Sequence, residues 1–202
     1  MKSAFHDPLI RLRKETVWLQ QEFVAAATSN REGRRSQLVC EMAVVRLHDA
    51  WARFCRELII LSALGRTVTL SGVPLAPSSP ALANRNSVIA ALLATYKKKK
   101  YEPRWSDAVE CLDAAARLKI ANLPTVSAGL SASNSPADEI RQVRNFYAHR
   151  RMESAIRALA TKAFSHPTRP VASDLASFTT GGDRIIESWV RRLIVVGTVS
   201  AQ

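Results

Sequence analysis

The chain has 202 residues, with 29 Lys and Arg against 17 Asp and Glu, for a net charge of +12 and a pI near 10.4. Hydrophobic residues make up 47% and charged ones 23%, which excludes an intrinsically disordered chain, and the length suits one domain, 1–202, burying roughly 70% of its unfolded surface. No apolar run reaches the roughly 18 residues of a membrane span. The opening Met-Lys-Ser-Ala-Phe-His-Asp-Pro lacks a signal peptide's apolar core, so a cytoplasmic protein without membrane association is expected.

Scarce Gly (7 residues) and abundant Ala, Leu, Arg and Glu point to helices and an all-α fold. A first helix is predicted from Asp7, with Pro8 in its first turn, to Ala27. A second runs from Ser36 to Leu64, where Val44, Leu47, Trp51, Phe54, Leu58 and Leu61 recur every three or four positions and Gly65 supplies a stop. Residues 66–83, with the β-like Arg66–Leu70 and then Gly72, Pro74, Pro77 and Pro80, read as an irregular surface loop. Helices follow from Asn84 to Lys99 and from a Ser106 cap to Asn122. A second loop covers 123–134 because of Pro124 and Gly129. Ser135-Pro136-Ala137-Asp138 then gives the clearest helix start, with the helix expected to run past His149 to Phe164. A connector over 165–181 precedes a last helix, Asp183 to Val196, whose apolar side carries Ile185, Ile186, Trp189, Val190, Leu193 and Ile194.

The charge favours a polyanion partner, most often nucleic acid, because phosphate contacts dominate such binding. Three cysteines (Cys40, Cys55, Cys111) without CxxC spacing make neither a disulfide framework nor a zinc site, and behave as small hydrophobes in a reducing compartment. The four histidines are scattered, and no GxGxxG, P-loop, HExxH or GxSxG motif is present, so no cofactor or metal is expected.

One segment carries chemistry: Glu139-Ile-Arg-Gln-Val-Arg144-Asn145-Phe-Tyr-Ala-His149-Arg150-Arg151. On a helix, Gln142, Asn145 and His149 share a face, while Ile140, Val143 and Tyr147 form a neighbouring apolar stripe. Arg144 lies five residues from His149, about 140° around an ideal helix. It joins His149 through its long side chain, a distorted helix or a second subunit. Metal-independent RNA cleavage needs a base for the 2′-OH, an acid for the leaving 5′-oxygen and a cation for the phosphate. His titrates near neutrality, Arg offers a donor fork matched to phosphate oxygens, and Asn hydrogen-bonds without adding charge.

Arg144-Asn145-Phe-Tyr-Ala-His149 resembles the signature of the HEPN superfamily (higher eukaryotes and prokaryotes nucleotide-binding), in which Arg and His are separated by four to six residues and a polar residue follows the Arg. The helix around Val44–Phe54 and the late helix around Trp189 are similar to its RiboL-PSP-HEPN branch. The resemblance implies an up-and-down helical bundle that dimerises so that both motifs line one cleft. It implies a metal-independent endoribonuclease, leaving 2′,3′-cyclic phosphate ends, in a toxin–antitoxin or other prokaryotic defence system, with an antitoxin or defence partner protein. His149 would be the acid/base, Arg144 the phosphate contact and Asn145 the orienting group. The alternative is a HEPN module that binds RNA or a partner protein without cleaving. Some HEPN toxins carry a modifiable Tyr two residues after the His; here Arg151 stands there, so that regulation is not implied.

Further candidates for RNA contact are Arg150 and Arg151 beside the motif, and Lys97, Lys98, Lys99 and Lys100, set between Tyr96 and Tyr101. His48 and Asp49 on the second long helix diverge by about 100° as adjacent residues and are read as structural. His6 and His166, near the terminus and in the connector, are expected to have no role.

Overall fold

The computed structural model describes residues 3–4, 6–28, 33–96, 101–161, 163–164, 172–177, 179 and 181–202. Among them the chain is all-α except for one small strand pairing. The elements are β1 (Ser3–Ala4), α1 (His6–Thr28), α2 (Arg34–Leu64), β2 (Thr67–Val68), α3 (Arg85–Ala94), α4 (Ala108–Leu118), α5 (Leu123–Leu130), α6 (Ala137–His149), α7 (Met152–Leu159), a 3₁₀ turn (Ala172–Ala176) and α8 (Ile185–Ser200). No described helix is long and apolar enough to cross a membrane. The chain gathers into two compact units, one of residues 1–12, 51–135 and 194–202, the other of 13–50 and 136–193.

The first unit holds β1 and β2, paired in parallel with Ser3 opposite Thr67 and Ala4 opposite Val68. The expected β-like stretch after Arg66 is therefore a strand, with an isolated bridge from Val68 to Pro74. Gly65 ends α2 at φ +59, a conformation that costs Gly little. A Cβ there would sit 2.2 Å from the Pro77 nitrogen, so both the turn and the close approach demand glycine. The helix expected from Asn84 to Lys99 is α3, which ends at Ala94; Asn84 caps it, its side chain accepting from the Ser87 N–H at 3.0 Å while the Ser87 hydroxyl accepts from the Asn84 N–H. The cap of α4 is Asp107 rather than Ser106, its carboxylate accepting from Val109 N and Glu110 N. Phe54, Leu58, Ile59, Val88, Leu92, Cys111, Ala114 and Val126 are buried in this unit.

Residues 123–130, expected as loop, form α5. Both residues that suggested a loop fit a helix here. Pro124 lies in the first turn, where its missing N–H costs nothing. Gly129 permits close approach: a Cβ would meet Ser200 Oγ at 2.0 Å and Ser200 N at 2.7 Å.

In the second unit, the single helix expected from Ser135 to Phe164 is two. Helix α6 starts after Pro136, with no side-chain cap, and ends at His149 because Arg150 takes the left-handed conformation, φ +53. The short segment to Arg151 re-aims the chain into α7. Ile140, Val143, Phe146 and Tyr147 of α6 are buried with Phe23, Val44, Leu47, Trp189, Val190 and Leu193 of the same unit. The expected connector over 165–181 is described only in part, at the 3₁₀ turn, Ser177, Thr179 and Gly181.

Candidate functional site

Helix α6 is tied into the second unit on two sides. Glu139 accepts from Trp189 Nε1 at 2.8 Å and from Arg192 at 2.7 Å, joining α6 to α8. At its other end the Arg150 guanidinium pairs with Glu41 of α2 and lies over the rings of Phe146 and Tyr147, 5.4 and 5.5 Å from their centroids. The ion pair and the two rings offset the roughly 1 kcal/mol cost of a left-handed non-glycine residue, and so explain where α6 stops. Without Glu41 in view, the sequence offers no stop signal at Arg150.

The motif residues occupy the middle and end of this anchored helix. Arg144 and Asn145 are half-buried, and Arg144 Nη1 donates to Asn145 Oδ1 at 3.3 Å. Arg144 Nε is buried with no acceptor among the described residues. A buried N–H without an acceptor carries a desolvation cost that an incoming acceptor would relieve. His149 is exposed at the last helical position, and its ring makes no hydrogen bond among the described residues. The structure thus brings Arg144 to Asn145 and leaves His149 exposed at the end of the same helix, with no contact joining it to Arg144 among the described residues.

Of the flanking cations, Arg151 is exposed. Arg150 is engaged by Glu41, so its charge is already balanced. Lys97, Lys98, Lys99 and Lys100, like His166, lie outside the described residues. Tyr101 is exposed.

His48 of α2, read from the sequence as structural, belongs to this neighbourhood. Its Nδ1 lies 3.2 Å from Asp49 Oδ1, so the adjacent side chains do meet despite their divergence. Burial holds the imidazole below its usual 6.5; the Asp49 hydrogen bond opposes this, and the positive charges of Arg144 and Arg141 reinforce it. The signal available in the sequence was the α2 stripe itself: Glu41, Val44 and His48 follow one another at three and four residues.

Tyr147, within the motif, has a buried hydroxyl without a partner among the described residues. Burial, helped by the Glu41 charge, pushes its phenol far up, with Arg150 opposing. It is therefore neutral at any physiological pH. All three cysteines are free and buried, and burial with the Glu41 charge raises the Cys40 thiol to about 11, as befits small apolar side chains. No group of three or more metal-ligating side chains gathers among the described residues.

No protein-family model, curated protein or solved structure matches the chain.

Proposed function

We propose that the chain is a metal-independent endoribonuclease of HEPN type, cleaving RNA by attack of the 2′-OH to leave 2′,3′-cyclic phosphate ends. The observation that carries this reading is the arrangement on α6. A half-buried arginine held by Asn145 and an exposed imidazole at the end of the same helix each keep a nitrogen without a hydrogen-bond partner among the described residues. Arg144 would hold the non-bridging phosphate oxygens and Asn145 would set the guanidinium plane. His149 would transfer protons at the reacting oxygens. Arg151 would hold the RNA backbone, with Arg150 and the Lys97–Lys100 run as secondary contacts. The net charge of +12 supports an RNA partner.

The reading extends to a homodimer whose two motifs share a cleft, in a defence or toxin–antitoxin setting with a protein partner. Exposed apolar side chains flank the Arg150–Glu41 pair in sequence, Leu38 and Met42 on α2 and Met152 and Ile156 on α7, and support burial against a second copy.

The decisive measurement is incubation with RNA in EDTA and analysis of the product ends. Cyclic phosphate products that vanish in both His149→Ala and Arg144→Ala, with unchanged circular dichroism, are the expected result. Mixing the two inactive variants restores part of the cleavage if one cleft draws on two chains. Cleavage unaffected by either substitution overturns the site. Salt-sensitive binding without any product leaves a non-cleaving RNA-binding module as the function.

A further inference from the structure

Single-stranded nucleic acid is held by stacking of its bases as well as by charge on its phosphates, and an exposed aromatic ring among cations supplies both. We infer that the outer face of the α1–α2 pair in the second unit is a platform for single-stranded RNA, with a base stacked on Trp18 and phosphates on the cations around it. The inference rests on the RNA partner of the reading above and not on cleavage.

Three contacts set α1 against α2. Cys40 Sγ donates to the Phe23 carbonyl at 3.8 Å, the Arg46 guanidinium lies 3.8 Å from the Glu15 carboxylate, and Arg46 Cζ stands 5.7 Å from the centroid of the Trp18 ring. Residue numbers rise on one helix as they fall on the other, so the two run antiparallel. Lys14, Trp18, Gln21 and Ala25 recur at helical spacing, form one stripe of α1 and are all exposed. Arg35, Val39, Met42 and Arg46 form the matching stripe of α2 and are all exposed. The stripes meet where Arg46 covers Trp18. Together they hold three cations, Lys14, Arg35 and Arg46, and no acid. Glu15 and Glu22 sit off the stripe, about 80–100° round α1 from Lys14, and Asp49 is turned to His48.

Trp18 is 47% exposed, whereas Trp51, Trp105 and Trp189 are buried. A base, which has a π-face of its own, covers the indole on the side away from Arg46. The guanidinium on the first side adds a cation–π contact, and its pairing with Glu15 leaves 52% of the Arg46 side chain exposed, free to meet a phosphate. Met42, also exposed, extends the apolar floor one turn along α2. A second copy seated on this face would set three cations against three, whereas a polynucleotide brings charge of the opposite sign. A duplex hides its base faces in its own stack, so a single strand is the form that fits.

The test uses the full chain and a 2′-O-methyl uridine oligonucleotide of about 12 nucleotides, which 2′-OH attack cannot cut. In the free protein iodide should quench Trp18 alone, because the other three indoles are buried. Binding should quench the same emission and shield it from iodide. Trp18→Leu should weaken binding by about tenfold or more and Trp18→Phe by much less, while Lys14→Ala should flatten the salt slope by about 0.7. Inorganic polyphosphate, which has no bases, should bind the wild type and Trp18→Leu alike. Equal affinity of the oligonucleotide for Trp18→Leu and the wild type, or emission unmoved by binding, overturns the platform; cleavage that still needs His149 and Arg144 then leaves the ribonuclease reading standing. Iodide blocked from Trp18 in the free protein, in step with dimerisation on sedimentation, gives the face to a second copy and also overturns it. Absence of any binding overturns the platform, and absence of cleavage as well takes the ribonuclease reading with it. If Trp18→Leu loses its fold, the iodide shielding of the wild type decides.

Discussion

Arg144 and Tyr147, three residues apart on α6, each bury a polar atom with no partner among the described residues, and they differ in what that implies. Arg144 Nε belongs to a cation whose Nη1 already holds Asn145, so an arriving phosphate would satisfy it. The Tyr147 hydroxyl is locked neutral by burial beside Glu41 and satisfies nothing. A buried unpaired donor costs about 1–3 kcal/mol. Tyr147→Phe should therefore stabilise the protein by about 1 kcal/mol, raising Tm by roughly 2–4 °C. A fall in Tm on calorimetry would show that the hydroxyl has a partner. The spacing of Arg144, Asn145 and His149 was legible in the sequence. Their states were not. That Arg150 is spent on Glu41, 109 positions away, depends on a contact no local pattern contains.

Among elements, α6 shows how a short helix becomes a platform. Its apolar stripe of Ile140, Val143 and Tyr147 follows the expected period and is buried, yet its end is set by Arg150 and not by any glycine or proline. Placing His149 at that end, instead of mid-helix, is what opens it to solvent. Helix α5 carries the opposite lesson. Pro124 and Gly129 are turn residues by composition, but an N-terminal proline and a glycine under Ser200 are both compatible with a helix. Gly129→Ala adds helix propensity but forces Cβ to 2.7 Å from Ser200 N. Overpacking should win, at a net cost of about 2 kcal/mol and a drop in Tm of roughly 4–8 °C. An unchanged or higher Tm would mean that α5 and the end of α8 do not meet.

At the scale of the whole molecule, the excess of 12 positive charges bears on association with polyanions rather than on the fold, and RNA is the partner proposed. Each phosphate neutralised on single-stranded RNA adds roughly −0.7 to the slope of log affinity against log salt. Binding of an oligonucleotide should thus weaken steeply between about 50 and 200 mM salt, and Arg151→Ala should flatten the slope by about 0.7 without altering the fold. An affinity indifferent to salt would remove RNA as the partner. The sequence by itself determined the helical class, the buried free cysteines, the Gly65 stop and the Arg144–Asn145–His149 spacing, because helical periodicity, apolar burial and glycine's conformational freedom act locally. Only the tertiary structure decided that Glu41 ends α6 through Arg150 and that Arg141 and Arg144 act on the ring of His48. Likewise, only contact with Ser200 explains a glycine inside α5. Those are meetings of side chains far apart in the chain, and their charges and volumes are felt only once the helices have packed.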